Sequence, residues 1–125
     1  TNEHTDGGAE TRINFNDHSG ATLARIQGSH DGASDDTKGD LIFSTHDGSS
    51  LNEAMRIESS GQVGIGTTSP TDSLDINSDS IRLRQSKTPS SSSDTGKTGQ
   101  IAYDANYIYI CIATNTWRRV EHSTW

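Results

Sequence analysis

The sequence predicts an all-β chain that needs partners to be stable, on three observations. Short runs alternate apolar and polar residues, Gly- and Asp-containing turns separate them, and the apolar supply is too small for a private core. Hydrophobic residues make up 28% of the 125, and Leu, Ile, Val and Phe together are only 20 of them. Soluble domains usually reach about 45–50% apolar residues with Gly counted. Together with a formal charge of −7, this composition lies where chains are usually disordered.

Taken in order, strands are expected at 11–15, 22–26, 40–44, 54–57, 62–65, 73–76 and 80–84. Arg12-Ile13-Asn14-Phe15 and Ile81-Arg82-Leu83-Arg84 show the period of two that sends neighbours to opposite faces. Turns are expected at Gly7-Gly8, Asp17 to Gly20, Asp31-Gly32, Lys38-Gly39, Asp47-Gly48 and Ser60-Gly61. Residues 50–58 are the one place with helical spacing, through Leu51, Ala54 and Met55. The alternation of Met55-Arg56-Ile57-Glu58 favours a strand there.

The texture changes near Pro89. Residues 88–96 are rich in Ser and, Pro89 aside, lack an apolar side chain, which reads as a flexible or surface connection. Beyond it come Tyr103, Tyr107, Tyr109, Trp117 and Trp125, five of the seven aromatic residues. The expected organisation is a β shaft over 1–87, a linker over 88–96 and a C-terminal β tip over 97–125.

Sheet edges sharpen the need for partners. Strands of four or five residues bury too little to offset backbone ordering at about 1–2 kcal/mol per residue, and they leave edges unpaired. Three identical chains around one axis would bring each inward Ile, Leu or Val against two copies of itself.

Gly39-Asp40-Leu41-Ile42-Phe43-Ser44-Thr45, Met55-Arg56-Ile57, Gly61-Gln62-Val63-Gly64-Ile65-Gly66-Thr67-Thr68-Ser69-Pro70 and Leu74-Asp75-Ile76 form an ordered series. That series resembles the shaft and distal region of bacteriophage tail fibres. The end, with Gln100-Ile101-Ala102-Tyr103 and Asn115-Thr116-Trp117-Arg118-Arg119, looks like the C-terminal tip of such fibres. The resemblance implies an elongated, intertwined homotrimeric β fibre with a β-helix- or β-prism-like shaft and a small C-terminal β tip. It also implies an extracellular virion component that meets a host surface glycan or outer-membrane receptor and joins other tail proteins. Fibres of this kind often carry a self-cleaving chaperone domain after the shaft; here the aromatic tip is expected to clamp the trimer instead. Because the chain starts at Thr1 rather than Met, it reads as a processed product or an excised piece.

Other chemistries find little footing. Ten Lys and Arg against seventeen Asp and Glu give no basic face for nucleic acid or an anionic membrane. No apolar run approaches the roughly 18 residues of a membrane helix. Gly61, Gly64 and Gly66 have the wrong order for a dinucleotide fingerprint, and Gly96-Lys97-Thr98 lacks the glycine and strand that a P-loop needs. The loop of residues 31–36 misses the glycine and glutamate of a calcium loop. His4, His18, His30, His46 and His122 form no ligand pair, although a histidine on a three-fold axis would be tripled. Neither a metal nor a cofactor is expected.

No carboxylate pair has a spacing that would set one pKa against another, and a glycan-cleaving spike would need a longer helix, so a non-enzymatic chain is expected. Cys111, between isoleucines, reads as a buried small hydrophobe. In the tip, Tyr107 and Tyr109 share one strand face and Ile108, Ile110 and Ile112 the other. The isoleucines are expected to form the core and the tyrosines to stay half exposed, free to stack on sugar rings. Candidate receptor contacts are therefore Tyr103, Tyr107, Tyr109, Trp117, Arg118 and Arg119, with Trp117 and Trp125 also suited to sealing an interface. The alternative is a trimerising cap whose receptor contacts are made elsewhere.

Overall fold

The computed structural model describes residues 10–30 and 37–124. Gly7-Gly8, His4, the loop of residues 31–36 and Trp125 lie outside the described residues. All regular structure among them is β, in two units that divide between Asp79 and Ser80.

The first unit is one six-stranded sheet in sequence order: β1 (Glu10–Asn16), β2 (Thr22–His30), β3 (Gly39–His46), β4 (Leu51–Ile57), β5 (Val63–Ile65) and β6 (Leu74–Ile76). The first five pair antiparallel and β6 pairs parallel to β5. Residues 50–58 carry no helix, in agreement with the alternation. Asp17 and Asp47 shape their turns by accepting backbone amides, Asp17 from Ser19 and Ala21 and Asp47 from Ser49 and Ser50. Gly64 is buried because its chain makes a close approach: a Cβ there would meet the Thr67 carbonyl oxygen at 2.7 Å.

Register then sorts the side chains by face. Ile13, Ile26, Phe43, Met55, Ile65 and Ile76 are successive cross-strand partners, one per strand across the whole sheet. Leu41, Ile57, Val63 and Leu74 make a second row beside it. The opposite face is polar. Arg56 is paired there with Glu53 at 2.7 Å and Asp40 at 3.2 Å, and Arg12 donates to Gln27 at 3.0 Å. Yet apart from Pro70 this unit has no buried apolar side chain among the described residues; Ile13 is 58% exposed and Leu74 57%. Among the described residues the sheet is a single layer, and its apolar face ranges from half-buried to exposed.

The second unit is a three-stranded antiparallel sheet, β7 (Ile101–Tyr103), β8 (Tyr107–Ala113) and β9 (Thr116–Glu121). Its small core is Ala102, Tyr109, Cys111 and Trp117, so Cys111 is buried as expected. Two sequence expectations change here. Residues 80–84 form no strand: the segment is irregular, and the Leu83 carbonyl accepts the Tyr103 hydroxyl at 2.6 Å instead of pairing in a ladder. The faces of β8 are also inverted: the tyrosine side is buried, and Ile108, Ile110 and Ile112 are exposed. The reason is the Ser-rich stretch, which covers the tyrosine side.

Candidate functional site

The Ser-rich stretch is fixed to the sheet through its backbone. The Trp117 amide donates to the Ser92 carbonyl at 2.8 Å, and its indole N–H donates to the Asp94 carbonyl at 3.0 Å. Gly96 and Asn115 exchange two bonds: the Asn115 amide donates to the Gly96 carbonyl, and the Gly96 amide to the Asn115 side-chain oxygen, each at 3.0 Å. Asn115 can reach because its φ is 55°, a left-handed conformation that Asn tolerates in tight turns. The Lys87 amide donates to the Tyr103 carbonyl at 2.9 Å, and its ammonium lies 5.1 Å from the Trp117 ring centre. Pro89 and Gly96 are buried. Residues 87–96 thus act as a strap across the β8–β9 face.

Asp104 organises the neighbouring corner. It accepts the Tyr109 hydroxyl at 2.5 Å, the Thr88 hydroxyl at 2.8 Å, and the amides of Asn106 and Tyr107. The Tyr109 hydroxyl and then the Asn106 amide hold the Asp104 carboxyl well below the usual carboxylate range. Reciprocally, donation to Asp104 pushes the Tyr109 hydroxyl up from its ordinary value. Arg119 stacks 4.0 Å above the Tyr107 ring, and the Tyr107 and Tyr109 rings meet at 5.8 Å with a 55° tilt.

Between strap and sheet lies a groove of about 410 Å³. Pro89 and the serines at 90, 91 and 92 line one side, and Tyr109, Trp117, Arg118 and Arg119 the other. A second, more apolar groove of about 440 Å³ runs beside Ile81 and Leu83, against Ile101, Tyr103 and Ile108.

Of the six candidate contacts, Tyr109, Trp117, Arg118 and Arg119 therefore share one groove. Tyr107 adjoins it through Arg119, and Tyr103 belongs with the other groove. Only the arginines are exposed. Tyr109 and Trp117 are each 4% exposed and offer edges rather than open faces. Composition missed the serines of the strap and Asp104, because a polar run has no periodicity to reveal what it packs against. Among the described residues, no three His, Cys, Asp or Glu side chains are grouped to hold a metal ion.

No protein-family profile matches the sequence. Against curated proteins, the chain is 45% identical over 56 residues to "Depolymerase, capsule K30/K69-specific" of Klebsiella phage K64-1. It is 56% identical over 36 residues to "Depolymerase 1, capsule K30/K69-specific" of Klebsiella phage K5-2. The chain is similar to part of a phage depolymerase. These stretches are 45% and 29% of this chain but only 7% and 4% of the relatives' lengths. Such matches support a phage tail protein and a virion component, without singling out a distal fibre tip. They also correct one expectation. A depolymerase is an enzyme, so the relatives overturn the reading of a non-enzymatic protein, which rested on the lack of a carboxylate pair within this short stretch of chain.

Proposed function

We propose that the chain is a region of a phage tail fibre or spike that works on the capsular polysaccharide of its host, carried on the exterior of the virion as a homotrimer. The observation that carries this reading is the 45% match over 56 residues to a capsule depolymerase. The bare apolar faces support the trimer. The row from Ile13 to Ile76 in the first sheet, and Ile101, Ile108, Ile110 and Val120 in the second, would face copies of themselves. The groove then stays on the solvent side of its sheet, three times per assembly. Three weak sites multiplied over several fibres raise avidity by about 10²–10⁴ over a single site.

Retention of the purified chain on immobilised host capsule, compared with capsule from an unrelated strain, tests attachment. Specific retention is expected; equal passage through both columns defeats the reading. The burial of Tyr109 and Trp117 favours a second reading, a trimerising cap whose receptor contacts lie elsewhere. Under it the chain is trimeric and still passes through the column.

A further inference from the structure

We propose that the groove between the strap and the β8–β9 face takes a carboxylate-bearing sugar, a hexuronate residue of an acidic polysaccharide. This rests on the reading above and specifies which part of a glycan the site would hold.

Charge is the first observation. Residues 1–79 hold four Lys and Arg against fourteen Asp and Glu, whereas residues 80–125 hold six against three. An acidic chain has thus gathered its positive charge in the unit that carries the groove. Of the acidic groups in that unit, Asp104 is surrounded by four donors and Asp94 accepts the Ser90 and Thr95 amides. Their charges are already satisfied; the third, Glu121, is the cross-strand partner of Tyr107 at the end of β9.

The lining is the second observation. Arg119 makes no ion pair among the described residues and, across from Tyr109, belongs to the groove face, whereas Arg118, across from Ile110, touches the groove but has the register of the isoleucine face. Arg119 is held in place by its stack on Tyr107, and the Tyr109 hydroxyl beside it has its proton committed to Asp104. A positioned guanidinium presents a fork that matches a carboxylate better than a point charge does. Opposite it, the serine side of the strap supplies hydroxyls suited to those of a sugar, while Pro89 and the Trp117 edge offer apolar wall to ring C–H groups. The volume falls within the range of about 300–1,000 Å³ usual for small-ligand sites.

The test is a titration of the full chain, isotope-labelled, with tri-galacturonate, maltotriose or inorganic phosphate, read at the Trp117 indole and the strap amides by NMR. Tri-galacturonate should shift these signals and bind at least about tenfold more tightly than maltotriose, with Arg119→Gln weakening it several-fold at unchanged melting temperature and Arg118→Gln, on the isoleucine face, weakening it far less. Equal response to acidic and neutral sugars, no response at the groove, or phosphate binding as well as the uronate would overturn the assignment. A chain retained on capsule yet silent to uronate loses this inference alone. One that binds uronate in the groove but ignores capsule loses the broader function instead.

Discussion

The Trp117 ring lies directly on Gly96: a Cβ built on the glycine would come within 2.6 Å of the indole Cζ2 and 2.7 Å of its Nε1. No side chain fits between strap and sheet at that point, so the glycine is what lets the strap close. Gly96→Ala should cost about 1–3 kcal/mol through overpacking. Trp117→Ala, which empties the core, should cost about 3–5 kcal/mol. Urea unfolding of the two variants against the parent chain measures both. A Gly96→Ala variant as stable as the parent would show that the strap does not depend on this contact.

The turn that faces the strap makes a related demand. Asn115 combines a positive φ with two bonds to Gly96. Asn115→Ala loses the side-chain bond and pays about 1–2 kcal/mol of left-handed strain. Asn115→Gly loses only the bond. The glycine variant should therefore melt above the alanine variant and below the parent in thermal unfolding.

How far the sequence discloses this fold follows from which contacts are periodic. Six of the seven strands expected before residue 88 are legible because Ile13, Ile26, Phe43, Met55, Ile65 and Ile76 recur in phase with the pleat. The seventh, at 80–84, has the same alternation and fails, since alternation does not supply a strand to pair with. In β8, Ile108 and Ile110 outrank Tyr109 in hydrophobicity, so pattern alone puts them inside. What decides the face is the strap, a polar run tied down by backbone carbonyls of Ser92 and Asp94 that no hydropathy pattern reports. The arginines of the groove are legible as charges, but their meeting with the serines is not.

The Tyr109–Asp104 bond gives the second unit a pH signature. Asp104 is depressed in the folded chain, so its contribution is complete above the ordinary value of 3.8 and is lost as pH falls from there towards the lower folded value. Tyr109 is raised, so its contribution is complete below the ordinary value of 10.0 and is lost as pH rises through the folded value. NMR titration of the Asp104 carboxyl should place its midpoint well below 3.8 in the parent chain and closer to 3.8 in Tyr109→Phe. A midpoint unmoved by the substitution would show that the two backbone amides and Thr88 alone hold the charge.

The bare sheet face makes the sharpest demand. Phe43 and Ile42 are chain neighbours on opposite faces of β3: Phe43 sits mid-row between Ile26 and Met55, and Ile42 sits between Gln27 and Arg56. If copies cover the apolar row, each side chain buried there contributes about 1.5–3 kcal/mol, and a charge placed in the row would be buried without a partner. Sedimentation equilibrium should give a mass near three times 13.5 kDa for the parent chain. Phe43→Glu should dissociate the assembly, whereas Ile42→Glu should leave its mass unchanged. A parent chain that sediments as a folded monomer, or an assembly indifferent to Phe43→Glu, would show that something other than its own copies covers this face.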